Sequence, residues 1–395
     1  MRFYGIDSRG KLYIERREGL STSIREAGLV YDEVTDELYV GNASAWQSIA
    51  RLNRGSSGRD GISGTSGISG SSSISGSSGT SGTSGAAPMG KDIIVGASAG
   101  YLFTSNDYGV NWTERTPDGA GTKSWRACSL SQGGQYMIAS IYFGNVYTSA
   151  NYGVDWTERQ PAGAGGKAWY ASCNYNSGAD YILCHTGGRL WHSADYGVSW
   201  SEFRPHGNLS AGWRSCASSS DGHYILAARN GFCEGLHVSQ DYGANWTEHG
   251  PPGHTVEDRN WLSVSVSADG KYMLACDNNG RLWLSDDYGS NWSERQPVGD
   301  LNRPWRGSFV SQDGRVMAAG TTSKVWISED YGTNWFDRTP AFGGYYCLDA
   351  SLSGQQIVAG DYGGRLWMST DYGVSWTEPR PNGNQNQNWF GGAMR

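Results

Sequence analysis

The chain has 395 residues and a formal net charge of −7, which leaves room for two or three domains and is the wrong sign for a protein whose main partner is nucleic acid. Its 58 Gly, 18 Trp and 23 Tyr, with no Leu-rich helical period, point to short strands and tight turns. No apolar run approaches the roughly 20 residues of a membrane helix, and the first residues, Met1 to Lys11, lack the apolar stretch of a secretory signal.

Residues 1–54 are mixed in composition and read as a small β-rich anchor or oligomerisation module. Within them, residues 28–50 predict a hairpin and a third strand: Val30 and Asp32, then Leu38 and Val40, alternate around the turn at Val34, Thr35 and Asp36. A module of this size is marginal alone and gains from oligomerisation. Residues 55–88 are almost wholly Gly, Ser, Thr and Ile. Gly recurs at every third place from Gly58 to Gly85, broken once at Ser73. That period fits a Gly-X-Y trimeric stalk; a flexible Gly/Ser linker is the other reading.

Residues 89–395 repeat. A Ser-x-Asp-x-Gly-x-x-Trp segment, with Asn151 in place of Asp in the second copy, starts at Ser105, Ser149, Ser193, Ser239, Ser285, Ser328 and Ser369, at spacings of 44, 44, 46, 46, 43 and 41 residues. That period is one four-stranded blade, so the expected fold is all-β, a seven-bladed β-propeller. The first repeat, from Lys91, lacks a first strand, whereas the chain closes on a lone first strand, Asn388 to Arg395. The last segment is therefore expected to complete the first blade and close the ring, which leaves no open edge.

The repeated segment resembles the Asp-box (BNR repeat) of sialidases and other propellers. The resemblance implies that Asp107, Asn151, Asp195, Asp241, Asp287, Asp330 and Asp371 hold turns, on the face opposite the ligand, and are not catalytic. The sialidase Arg-Ile-Pro-like motif is absent. The N-terminal hairpin pattern and the Gly-X-Y tract resemble modules of phage tail fibres and appendages. Together these imply a fibre: an N-terminal anchor to a virion or appendage, a homotrimeric stalk and a propeller tip at the extracellular surface.

Each blade also carries an aromatic residue at a strand start. The loops entering first strands and the turns between second and third strands share one face. On that face the expected ligand contacts are Trp125, Trp169, Trp213, Trp261, Trp305 and Trp389. Arg126, Arg214 and Arg306 follow three of these, and Arg189, Arg281 and Arg365 stand on Gly-Gly-Arg or Asn-Gly-Arg turns. Aromatic faces with planar donors suit sugar rings; the alternative for the tryptophans is inter-blade core. The expected partner is a cell-surface glycan or a protein receptor. The repeat-breaking acids Glu234, Glu257, Asp258, Asp277, Asp349 and Asp361 are the candidates for a glycan-cleaving alternative, and a purely structural filament is the third reading. No metal-ligand or cofactor motif occurs. The seven cysteines, odd in number and without motif spacing, read as small core residues.

Overall fold

In a computed structural model the chain divides into two compact units, Met1–Gly82 and Thr83–Arg395. The structure describes Asp92 to Arg395, apart from residue 120 and residues 176–179, 186–187, 206, 208–211, 231–234, 250–259, 300, 342 and 384–385. The side chains of 171–175, 185 and 279 are also outside it. Before residue 92 it describes only the backbone of five strands. These run in the spatial order Leu12–Arg16, Arg2–Ile6, Gly28–Asp32, Glu37–Asn42, Ala45–Arg51. The stalk expected at 55–88 lies outside the described residues.

The second unit is a seven-bladed β-propeller. Blade 2 begins with strand Trp125–Leu130, blade 3 with Lys167–Tyr175, blade 4 with Trp213–Ser218, blade 5 with Trp261–Val266, blade 6 with Gly307–Val310 and blade 7 with Tyr345–Ala350. Each continues outward through antiparallel neighbours. Blade 1 is assembled from both ends of the unit: Asn388–Met394 pairs antiparallel with Ile93–Ser98, from Asn388 opposite Ser98 to Met394 opposite Ile93. This is the closure expected from the sequence. The splice is reinforced sideways, because the Asp349 carboxylate of blade 7 accepts the Met394 N–H at 3.0 Å and pairs with the Arg395 guanidinium at 3.1 Å.

The second strands are buried on both faces, as in residues 137–141 of Met137–Gly144 and in Ile225–Arg229, because each blade is packed between two others. The Ser-x-Asp-x-Gly-x-x-Trp turn welds the third strand to the fourth. In blade 1 the Ser105 hydroxyl donates to Asp107 Oδ1 (2.9 Å) and accepts the Gly109 N–H (2.9 Å). Asp107 then accepts the Asn111 N–H at 2.8 Å and the Asn111 side-chain amide at 2.6 Å. Trp112 Nε1 donates to the Gly109 carbonyl at 2.8 Å. The backbone stays left-handed for two residues, with φ of 62° at Tyr108 and 78° at Gly109. The glycine is needed for a second reason: a Cβ at Gly109 would lie 2.3 Å from Met368 Sδ of the preceding blade. The turn therefore sits on the seam between blades as well as capping its own hairpin.

Blade 2 departs from the consensus at Asn151 and repairs itself four residues later. Asp155 stands where the other turns have Asn or Ser, so Asn151 Nδ2 donates to Asp155 Oδ2 at 2.7 Å while Asn151 Oδ1 accepts the Asp155 N–H at 2.8 Å. Donor and acceptor have changed places and the hydrogen-bond pattern is kept.

Candidate ligand-binding site

Seven first strands surround the axis, and a cavity of about 310 Å³ runs between them. Its lining extends from Arg126, Tyr170, Arg214, Arg306, Tyr346 and Phe390 at one mouth to Gln132, Ser220, Ala268, Gln312 and Leu352 at the other. From Arg126 to Gln132 a strand advances about 20 Å. The second mouth is tied by backbone bonds between successive blades, Ser220 N–H to Ala268 O, Ala268 N–H to Gln312 O and Gln312 N–H to Leu352 O.

The first mouth is built by a repeated irregularity. In blade 2, Trp125 pairs with Ile141 and Ala127 with Ser140, so Arg126 is the extra residue of a β-bulge. The same break in register isolates Tyr170, Arg214, Leu262, Tyr346 and Phe390. A bulge removes one residue from the pleat and re-aims its side chain. Here it sends the residue after the strand-start aromatic into the axial opening while that aromatic goes into the core. Blade 6 supplies Arg306 at the equivalent place, held by its N–H on the Gly320 carbonyl at 2.8 Å. From blade 1 to blade 7 the bulge position therefore reads Phe390, Arg126, Tyr170, Arg214, Leu262, Arg306, Tyr346.

These side chains form an almost continuous arc of alternating cations and rings. Arg126 lies between Phe390 (3.9 Å to the ring centre) and Tyr170 (5.0 Å), with Tyr142 at 5.2 Å. Arg214 covers the other side of Tyr170 at 3.7 Å, and Arg306 covers Tyr346 at 4.5 Å. Tyr346 meets Phe390 edge-on at 5.2 Å, which closes the arc everywhere except at Leu262. Rings hold guanidinium groups by cation–π attraction but leave their edge N–H donors unspent. Among the described residues none of these three arginines has a carboxylate partner, and Arg306 Nε is buried without an acceptor. Burial, and then the charge of Arg214, push the Arg126 pKa below the usual arginine range. Burial raises the pKa of the Tyr170 phenol, but its bond with Tyr142 and the two guanidinium charges outweigh that and lower it overall.

Two exposed aromatics flank the mouth. Phe143 is 68% exposed and Tyr362 57% exposed. Tyr362 packs on Tyr346 and Phe390, and Phe143 on Tyr142. Phe143 has φ of 55°, a conformation that a bulky residue adopts only at a cost.

The six tryptophans expected to face a ligand do not. Trp125, Trp169, Trp213, Trp261, Trp305 and Trp389 are at most 2% exposed and pack in the inter-blade clusters. Trp125, Trp169, Trp213, Trp261 and Trp389 each precede a bulge, so each keeps its place in the pleat and its ring turns into the seam; Trp305 stands at the equivalent place in blade 6. Arg189, Arg281 and Arg365 are also displaced from the expected role. They pair with Glu202 and Glu294 on the fourth strands of their blades and with Glu378 of blade 7, at 3.9, 3.5 and 2.6 Å, away from the axis. Of the expected contacts, Arg126, Arg214 and Arg306 are the ones gathered in one cavity. Tyr170, Tyr346 and Phe390 were missed, although they occupy the same repeat position; comparing that position across blades would have found them.

Among the described residues the repeat-breaking acids Asp277, Asp349 and Asp361 do not converge. Asp277 is buried against the Asn260 N–H (3.1 Å). Asp361 accepts the Arg365 N–H (2.8 Å), and Asp349 closes the ring. Burial pushes both Asp349 and Asp361 up, against their cationic neighbours. Asp349 is the one carboxylate among the described residues lining the cavity. Glu234, Glu257 and Asp258 lie outside the described residues. Cys128, Cys184, Cys216, Cys276 and Cys347 are buried and form no disulfide among the described residues, and burial raises the Cys347 thiol to about 12, so it behaves as core and not as a nucleophile.

No family model matches this chain, and neither does any curated protein. Among solved structures it is similar to YCF48 bound to D1 peptide, with a TM-score of 0.52 and 13% identity over 69% of this chain and 88% of that one. YCF48 from Cyanidioschyzon merolae gives a TM-score of 0.52 and 12% identity, covering 69% and 94%. The Niastella koreensis GH74 enzyme gives a TM-score of 0.35 and 15% identity, covering 71% and 50%. What the chain shares with the two YCF48 structures is the β-propeller fold.

Proposed function

We propose that this chain is the receptor-binding subunit of a viral, phage-like tail fibre or surface fibre, whose propeller tip engages a cell-surface glycan at the axial mouth. One observation carries the binding role. The Ser-x-Asp-x-Gly-x-x-Trp turn is nearly the same in every blade, as a scaffold must be, whereas the bulge position differs from blade to blade and collects cations and rings around one opening. A site needs such asymmetry. The aromatic rims offer faces for sugar CH groups, and the arginines offer edge donors for hydroxyl or acidic groups. Among the described residues the cavity holds a single carboxylate, already engaged by Arg395, which favours binding over hydrolysis, because a glycosidase places two carboxyl groups across the bond it breaks.

The fibre context rests on the Gly-X-Y tract and the resemblance of the N-terminal hairpin to tail-fibre modules. Trimerisation would turn a weak axial site into an avid one. The test is a glycan array probed with the full chain and with residues 89–395, alongside light-scattering masses. A trimeric full chain that binds a defined glycan set more strongly than a monomeric propeller supports the reading. A monomeric full chain refutes the stalk, and an empty array refutes glycan recognition.

A further inference from the structure

The arrangement at the axial mouth says more than that it binds sugar. Three guanidinium groups come from blades 2, 4 and 6 and are spread around one opening. Arg126 and Arg214 share a single ring, Tyr170, at 5.0 and 3.7 Å, and each feels the other's positive charge. No carboxylate among the described residues relieves this. Asp349 lines the same cavity but is held by Arg395 and the Met394 N–H. Like charges held half-buried without a counter-charge are unfavourable, and they are retained where an anion completes the site. Arg306 adds a buried Nε without an acceptor, and an unpaired buried donor has a cost of its own.

Below this cationic rim the cavity changes character. Its wall carries Ser215, Ser263, Ser265 and Ser308. The Ser308 hydroxyl lies 2.9 Å from that of Ser263 and 2.8 Å from that of Ser265. A volume of about 310 Å³ stands at the small end of ordinary ligand sites, roughly 300–1,000 Å³. One mouth is thus cationic and aromatic, and the shaft is narrow and hydroxylic.

We infer that the axial mouth binds the carboxylate of one acidic sugar, a uronic acid unit of a surface polysaccharide. Arg126, Arg214 and Arg306 converge on the carboxylate, and the hydroxyls of the same unit reach the serine shaft. The inference rests on the glycan-binding reading and narrows it to the acidic class. A carboxylate accepts paired N–H donors from a guanidinium edge while the guanidinium face stays on its ring. Phe143 and Tyr362 stand at the rim, where a neighbouring sugar of the chain would stack.

The test is calorimetric titration of the full chain with a glucuronate-containing disaccharide and with its methyl ester, which keeps the shape and removes the charge. The acid is expected to bind at least tenfold more tightly than the ester. Arg306→Met and Arg214→Met should each weaken the acid tenfold or more and the ester by a clearly smaller factor. Arg306→Lys, which keeps the charge but loses the fork, should fall between wild type and Arg306→Met. Melting curves of each variant keep loss of fold apart from loss of binding. Equal affinity for acid and ester overturns the carboxylate assignment, as does inorganic phosphate competing on a par with the acid. Unchanged affinity in properly folded Arg214→Met and Arg306→Met overturns the placement. A glycan array positive only for neutral sugars overturns the inference while leaving glycan recognition standing; an empty array removes both.

Discussion

Blade 2 carries a built-in double-mutant cycle. Asn151 and Asp155 hold the same hydrogen bond that Asp and Asn hold elsewhere, with the partners exchanged. Asn151→Asp alone sets two carboxylates about 3 Å apart at the surface and removes the amide donor; in effective dielectrics from that of water down to about 20 the repulsion is on the order of 1–5 kcal/mol, and solvent exposure places it at the low end, about 1–2 kcal/mol. Asp155→Asn alone leaves two amides, which still bond but lose the charge assistance, at about 0.5–1 kcal/mol. The double exchange recreates the arrangement of the other blades and should return to within a few tenths of a kcal/mol of wild type. The expected coupling is therefore about 2 kcal/mol, or a few degrees of melting temperature in a chain of this size. Denaturant unfolding of the four proteins measures it. The penalty of the single Asn151→Asp should also shrink below about pH 4, where one of the two carboxyls takes up a proton. Additive effects, with the double variant as unstable as the sum of the singles, would refute the exchange argument and show that position 151 is set by something other than its partner at 155.

Hydrogen bonds from Asn and Ser residues hold Asp107, Asp195, Asp241 and Asp371 below the ordinary carboxylate range, Asp195 at about 2, and they outweigh burial at Asp287 and Asp330. Folded values below the unfolded value, about 3.9, give stability that is present above pH 4 and lost toward pH 2. Asp349 and Asp361 act in the opposite sense but are two against six. Melting curves across that window should fall steadily, and a flat profile would count against the turns as stabilising elements. Phe143→Gly removes a bulky side chain from φ of 55°, so the variant should melt at or above the wild-type temperature while losing severalfold in glycan affinity; a less stable variant with full affinity would show that Phe143 serves packing. Deleting Trp389 to Arg395 takes away the first strand of blade 1 and exposes the edge of Ile93–Ser98, so the propeller should melt far below wild type or aggregate through that edge, and an unchanged melting temperature would contradict the splice.

The fold was legible because its signal is periodic. Seven Ser-x-Asp-x-Gly-x-x-Trp segments, an incomplete first repeat and a spare terminal strand left one way to close the ring. The site was half legible. Arg126, Arg214 and Arg306 stood out as charges after buried-type aromatics, yet the tryptophans beside them were assigned to the same face. Strand alternation alone sends adjacent residues to opposite sides but does not say which side is the axis. That is decided by the bulge, a local two-against-one pairing that depends on the register of the neighbouring strand and leaves no mark in the sequence of one blade. Arg189, Arg281 and Arg365 misled for a related reason. Their turns do end on the expected face, but Glu202, Glu294 and Glu378, on the outer side of the same blades, lie close enough to take their charge. The Asp155 compensation was readable in principle, since the departure at Asn151 and the acid four residues later occur in the same segment.

The most direct measurement is a crystal structure of the propeller, residues 89–395, grown with a uronate-bearing oligosaccharide. The account predicts the sugar at the axial mouth, its carboxylate within hydrogen-bond distance of the guanidinium groups of Arg126, Arg214 and Arg306 and its ring against Phe143 or Tyr362. A sugar seated instead on the face of the Ser-x-Asp-x-Gly-x-x-Trp turns, or along the outer strands beside Arg189, Arg281 and Arg365, with the axial mouth unchanged, would contradict it.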